Sequence, residues 1–175
     1  SKDTILQINS YAIINGEKKI GITTHFINSK IDSGDILDQE FINVKKNDNF
    51  KTILNKCYNI CPMQLYRVLK KIKNKSIKII KQSSISTKGS YFFKRKNGDE
   101  IIKFNNNFKN LNNFIRGLVF PSIGATFFYN RKSYKVMKSC CSKKNYNDKN
   151  PNGIILKVTK KKLNIKISNY NILLM

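Results

Sequence analysis

The chain has 175 residues, 40% of them hydrophobic, which is enough for a packed core in one domain or two small ones. Lys and Arg total 34 against 10 Asp and Glu, a formal charge of +24, yet the only arginines are Arg67, Arg95, Arg116 and Arg131. No apolar run reaches the length of a membrane span, Ser1-Lys2-Asp3 opens without the apolar core of a secretory signal, and a Lys surplus lacks the bidentate forks that phosphate and base readout favour.

In chain order, residues 3–14 read as a helix, with Asp3 as cap, Ile5, Ile8 and Ala12 on one face, and Asn15-Gly16 as the stop. Lys19–Ile27 alternates as a strand does, with Ile20, Ile22 and Phe26 on one side and Gly21, Thr23 and His25 on the other. Asn28–Gly34 is a polar loop and Ile36–Val44 a second strand. Asp48 then caps a long amphipathic helix whose apolar positions run from Phe50 to Ile72 at spacings of three and four. Pro62 is expected to kink or break it, and Lys70, Lys71, Lys73 and Lys75 suit its C-terminal end.

From Lys81 to Ser90 the composition turns to Ser, Thr, Lys and Gly, a linker. Tyr91–Phe93 and Ile101–Phe104 follow, then a short helix over Phe108–Val119 ended by Pro121. Ala125–Tyr129 and Ser133–Met137 read as a hairpin around Asn130-Arg131-Lys132. A second polar linker, Ser142–Asn152, precedes strands at Ile154–Val158, Leu163–Ile167 and Ile172–Leu174, which suggest a small β-barrel or sheet.

The four cysteines lack zinc-site spacing, and the single histidine is His25. Cys57 and Cys61, four apart on a helix, read as buried free thiols, while Cys140 and Cys141 fall in polar sequence taken as linker. With no disulfide framework, a reducing cytoplasm is the default compartment.

The stretch that carries chemistry runs from Ile14-Asn15-Gly16-Glu17 through Gly21-Ile22-Thr23-Thr24-His25 to Ile31-Asp32-Ser33-Gly34-Asp35-Ile36. A carboxylate in a tight loop after a strand can hold a cation, cap a turn, or transfer a proton, and spacing alone does not choose among these. The stretch resembles the folate-dependent formyltransferase pattern NGE-xxxGVTxHxMDxGxDTGDI. Gly16-Glu17, Gly21-Ile22-Thr23, His25 and Asp32-Ser33-Gly34-Asp35 match it in register. The likeness continues through the helix containing Pro62, the Ile115-Arg116-Gly117-Leu118 segment with Pro121, and Asn152-Gly153-Ile154-Ile155 onward.

The resemblance implies transfer of a formyl group from 10-formyltetrahydrofolate to a primary amine, with no metal. In that family an Asn–His–Asp set stabilises the tetrahedral oxyanion and moves the proton. Asp32 stands at the Asp of that set, and His25 matches a supporting histidine beside the site. Asn28, Ser29, Lys30, Ile31 and Gly34 lie in the loop that lines the pterin pocket, with Asn28 and Lys30 replacing the usual Asp and Gly. The family's Asn and catalytic His lie in a segment that would precede Ser1. The chain is therefore expected to be a fragment, inactive alone, whose partner is the missing N-terminal portion of the same enzyme.

The architecture implied is α/β, a partial Rossmann-like formyltransferase domain followed by a small mainly-β, open-barrel, OB-like C-terminal domain. Its divisions are 1–82 for the catalytic half, 83–100 for the linker and 101–175 for the barrel. Three functions follow. A nucleotide-linked amino sugar is the first acceptor, favoured by His25 and the Ile14–Glu17 turn. Methionyl-tRNA is the second, favoured by the barrel-like tail and the basic charge. A non-catalytic basic nucleic-acid-binding module is the third.

Overall fold

A computed structural model of the chain describes residues 2–85, 95–105, 107–142, 153–159, 162–167 and 170–175. In chain order the elements are α1 (Lys2–Asn15), β1 (Lys19–His25), β2 (Ile36–Asn43), α2 (Phe50–Lys73), α3 (Phe108–Gly117), β3 (Ala125–Tyr129), β4 (Lys132–Val136), β5 (Ser139–Ser142), β6 (Ile155–Val158), β7 (Leu163–Ile167) and β8 (Tyr170–Leu174). They form two compact units, one of Ser1–Glu17, Asn47–Lys51 and Lys94–Met175, the other of Lys18–Lys46 and Thr52–Phe93.

The second unit is a hairpin with a helix. β1 and β2 pair antiparallel from Lys19↔Asn43 to Thr24↔Asp38, and the register then shifts so that His25 faces Ile36. Ile20 and Ile42 are a directly opposed, buried pair on one face. On the other face Gln39 Nε2 donates to Thr23 Oγ1 at 2.8 Å across the same ladder. Ile53, Leu54 and Val68 of α2 are buried with Ile20, Ile36, Leu37 and Ile42 of this unit. Gln64, also buried, donates from Nε2 to the Ile22 carbonyl at 3.0 Å and so ties helix to strand without leaving its amide unpaired. Arg67 completes the tie, donating to Asp38 Oδ2 from Nε at 3.1 Å and Nη2 at 2.7 Å, and to Glu40 Oε2 at 3.1 Å.

The first unit gathers its core from α3, the β3–β4 hairpin and the last strands, where Leu111, Ile115, Leu118, Ala125, Val136, Ile165 and Leu174 form one buried cluster. Asn107 caps α3, accepting from the Asn110 amide at 2.9 Å. The β3–β4 turn places Asn130 and Arg131 both at positive φ, the geometry of a two-residue hairpin turn. α1 meets α3 at Gly117. The Ser10 hydroxyl donates to the Gly117 carbonyl at 2.6 Å and accepts from Arg95 Nη2 at 3.0 Å, while the Arg95 guanidinium lies 4.7 Å over the Tyr11 ring. Burial pushes the Arg95 guanidinium below its usual range, opposed by Tyr11, Asp99 and Glu100.

Several expectations are corrected. Ile8 of α1 is exposed, and among the described side chains of that helix the buried ones are Asn9, Ser10 and Ile13, with the Ser10 hydroxyl bonded to the Gly117 carbonyl at a contact where glycine lets the helices approach. α2 passes through Pro62 without a break, since Pro62 is exposed and buried Ile53, Leu54, Gln64 and Val68 fix the helix on either side of it. Cys61 is exposed and Cys57 only partly covered. Cys140 and Cys141 lie in strand β5, not in a linker, because β5 finds its partner in the distant β8. The expected barrel is a four-stranded antiparallel sheet of order β5-β8-β7-β6 beside a separate β3–β4 hairpin. Among the described residues its edges β5 and β6 are not paired, and closure requires every edge to find a partner. The two consecutive strands expected in the second unit are present, as an antiparallel pair. The strand-like Tyr91–Phe93, half of the first linker and nearly all of the second lie outside the described residues.

A Cβ on Gly117 would sit 2.8 Å from Ile14 Cγ1 and 3.1 Å from the Ser10 carbonyl oxygen. Gly117→Ala is expected to destabilise the chain by about 1–3 kcal/mol in denaturant unfolding.

Candidate functional site

The loop between β1 and β2 is closed by its own backbone. The Phe26 amide donates to the Asp35 carbonyl at 3.0 Å, and the Phe26 carbonyl accepts from His25 Nδ1 at 2.7 Å. That carbonyl lies where a side chain on residue 34 would begin. A Cβ there would be 1.7 Å from Phe26 O and 3.2 Å from His25 Nδ1, so only glycine fits. Within the loop, Asn28 Oδ1 accepts from the Lys30 amide at 3.1 Å and from the Ser33 hydroxyl at 2.8 Å, an Asx turn that folds the chain back. Asp32 then takes a φ of +52°, a left-handed conformation that Asp tolerates better than most residues.

This folding brings the residues singled out from sequence to one place. His25, Asn28, Ser29, Lys30, Ile31 and Asp32, with Ile27, line a recess of about 250 Å³. Gly34 does not line it but sets its shape through the contact with Phe26. His25 Nε2 is 3.8 Å from Asp32 Oδ1, with the His25 side chain 24% exposed and that of Asp32 81% exposed. A carbonyl oxygen only accepts, so the bond to Phe26 keeps the proton on Nδ1. Nε2 of the neutral ring is then the nitrogen with the free lone pair, and it is the one that faces Asp32. At 3.8 Å, with no hydrogen on Nε2 in that tautomer, the two groups are not hydrogen-bonded to each other; both face the recess as acceptors, and Asp32 remains open to solvent.

The register shift between Thr24 and His25 is the local device that matters here, because a bulge re-aims the side chain that follows it. Sequence reading missed three contributors, Ile27, Gln64 and Arg67. Ile27 is 95% exposed, and with Ile31, already singled out from sequence and 93% exposed, it gives the loop two unburied apolar side chains. Gln64 and the Arg67 cluster fix β1 and β2 from α2, and Asp38 first, then Glu40, hold the Arg67 guanidinium above its usual range. The alternation of Asp38 and Glu40 along β2, both on the face of Ile36 and Ile42, is the one signal that could have found that cluster.

Among the described residues no group of three or more His, Cys, Asp and Glu side chains converges, and no helix is long and apolar enough to cross a membrane.

Residues 6–69 match the family described as formyl transferase, and residues 94–175 match formyl transferase, C-terminal domain. The chain is 32% identical over 171 residues to the bifunctional polymyxin resistance protein ArnA of Wigglesworthia glossinidia brevipalpis, covering 92% of this chain and 25% of that protein. It is 29% identical over 163 residues to the methionyl-tRNA formyltransferase of Malacoplasma penetrans, covering 93% of this chain and 50% of that protein. The chain thus spans half or less of the length of these curated relatives. Its fold is similar to that of WlaRD, a sugar 3N-formyl transferase solved in the presence of dTDP and 5-N-formyl-THF. The TM-score is 0.69 at 23% identity, over 96% of this chain and 58% of that one.

Gly34→Ala is expected to force the Phe26 carbonyl aside and release His25. The expected signature is a change in NMR shifts confined to residues 25–35, with a stability loss of about 1–3 kcal/mol.

Proposed function

The chain belongs to the formyl transferase family, and from that premise we propose that it carries part of the active site of an enzyme that moves a formyl group from 10-formyltetrahydrofolate to a primary amine. The observation that carries this reading is the loop that gathers His25, Asn28, Ser29, Lys30, Ile31 and Asp32 around one recess. The folate substrate supplies the activated formyl carbon. Ile27 and Ile31, almost wholly exposed, offer the apolar surface that a flat pterin ring would cover, and Gly34 holds the loop in the shape that presents them.

Asp32 acts on the proton of the reaction. An amine that attacks a formyl carbon must lose a proton, and a solvent-open carboxylate accepts it directly, through a water, or by orienting an imidazole that does so. His25 supports Asp32 as a positioning residue: its Nδ1 is committed to Phe26 and its Nε2 to the Asp32 side of the recess. The sequence holds no second histidine, so residues 1–175 do not themselves supply the family's catalytic imidazole. We expect the chain alone not to turn over, with residues 1–82 supplying catalytic function, 83–100 linking and 101–175 forming the accessory domain.

The acceptor is a nucleotide-linked amino sugar. His25 and the Ile14-Asn15-Gly16-Glu17 turn favour it, and the fold is that of an enzyme named for sugar formylation. Methionyl-tRNA is the second reading, supported by a relative of that name that aligns with 93% of the chain. A non-catalytic nucleic-acid module draws least support, because Arg67, Arg95 and Arg116 are all engaged in internal hydrogen bonds.

The purified chain is expected to show no formyl transfer from 10-formyltetrahydrofolate, and measurable turnover would overturn that expectation. In an enzyme assembled from this chain and the upstream catalytic segment, Asp32→Asn should lower kcat by about 10²–10⁴-fold with Tm unchanged. Asn keeps the size and the tolerance for positive φ, so retained activity would sink the assignment of Asp32. His25→Gln should cost less than Asp32→Asn. The same assembled enzyme should formylate a dTDP-amino sugar and not methionyl-tRNA; the reverse outcome selects the second reading.

A further inference from the structure

The first unit contains a recess of about 340 Å³, within the range of small-molecule sites and unrelated in sequence to the loop around Asp32. Its wall is aromatic. Phe127 and Tyr134 are direct cross-strand partners on β3 and β4, stacked with centroids 5.3 Å apart and planes at 20°. Tyr134 nevertheless remains 42% exposed and Tyr129, on the same hairpin, 38% exposed. Two tyrosines left this open beside a buried floor of Val136, Leu163 and Leu174 are more ring surface than the core uses.

Its rim is cationic. Lys135 and Lys162 line the recess, and among the described residues no Asp or Glu side chain does. The Lys135 ammonium is already engaged by the Ile123 carbonyl, which fixes that side chain across the hairpin's end. Lys162 is exposed, and its backbone is held by a tight turn: the Thr159 amide donates to the Lys162 carbonyl at 2.8 Å and the Lys162 amide to Thr159 Oγ1 at 3.1 Å. A fixed aromatic wall, an apolar floor and a positive rim without acidic neighbours select for a planar ring that carries negative charge.

We propose that this recess binds a nucleoside phosphate, its base on Tyr134 and Tyr129 and its phosphate at Lys162. Every nucleobase offers a π-face to stack, and the ammonium is a point charge suited to a phosphate oxygen. The size of the recess fits one ring system with its phosphate and is small for a folded polynucleotide.

Calorimetric titration of the chain tests this with ADP, adenosine, inorganic pyrophosphate and a single-stranded oligonucleotide. ADP is expected to bind one per chain, with adenosine and pyrophosphate each at least about tenfold weaker, since each keeps half of the recognition. Tyr134→Leu and Lys162→Met should each weaken ADP by roughly tenfold, the loss of one stacked ring or one charge contact. Lys96→Met, which removes an exposed charge outside the recess, should change nothing. The proposal is overturned by pyrophosphate binding as tightly as ADP, by an absence of ADP binding, or by the oligonucleotide binding more tightly than ADP. It is equally overturned if Lys162→Met leaves ADP affinity unchanged. That variant decides the matter even if Tyr134→Leu disturbs the hairpin, because Lys162 is exposed on a turn and packs no core.

Discussion

The backbone of Phe26 is the constraint on which the candidate site depends. Its amide closes the loop onto Asp35, its carbonyl fixes the His25 ring, and its oxygen occupies the space that any side chain on residue 34 would need. The contacts to His25 and Gly34 share one carbonyl, so moving that peptide plane disturbs both, while the amide lies in the preceding plane across φ and ψ of Phe26. The tautomer of His25 and the closed ends of the loop follow from these contacts, and the Asn28 turn folds the rest.

The hairpin that carries the loop is held from the helix side by a small number of polar contacts. Gln64 satisfies a strand carbonyl, and Arg67 bridges two carboxylates that alternate along β2. A two-stranded ribbon is marginal in water unless another element covers it, and α2 supplies that cover with Ile53, Leu54 and Val68. The site therefore rests on a ribbon stiffened by its helix, and a loop with two exposed isoleucines is the part left for a ligand to complete.

The charge takes on a definite meaning once the arginines are placed. Arg116 donates to the Asp48 carbonyl at 2.6 Å and to Asn113 Oδ1 at 3.0 and 2.9 Å, pinning the approach to α2 against α3 within the first unit. Burial pushes its guanidinium below the usual range, opposed by Asp48. Arg95 and Arg67 are engaged comparably, and Arg131 sits in a hairpin turn. Three of the four arginines thus serve as internal clamps, and the exposed positive charge is carried largely by lysines.

The sequence by itself determined the order of most of the elements, the loop between two strands, the family through residues around Asp32, and the hairpin at residues 125–136. These features are local: alternation, spacing, Gly and Asn at turns, and a motif in register. What only the tertiary structure decided is which faces are used. The buried side of α1 is set by Gly117, more than a hundred positions away, so that a hydroxyl and an amide enter the interior and Ile8 stays outside. Cys140 and Cys141 belong to a strand because β8 is there to pair with, and their polar surroundings gave no periodic signal. Among the described residues the edges of the sheet, β5 and β6, do not pair, a property of the whole set of strands that no single strand encodes. Asp32 was legible as the residue of interest. That it faces the free nitrogen of His25 was decided by one glycine and one carbonyl, whose contact exists only after the loop has closed.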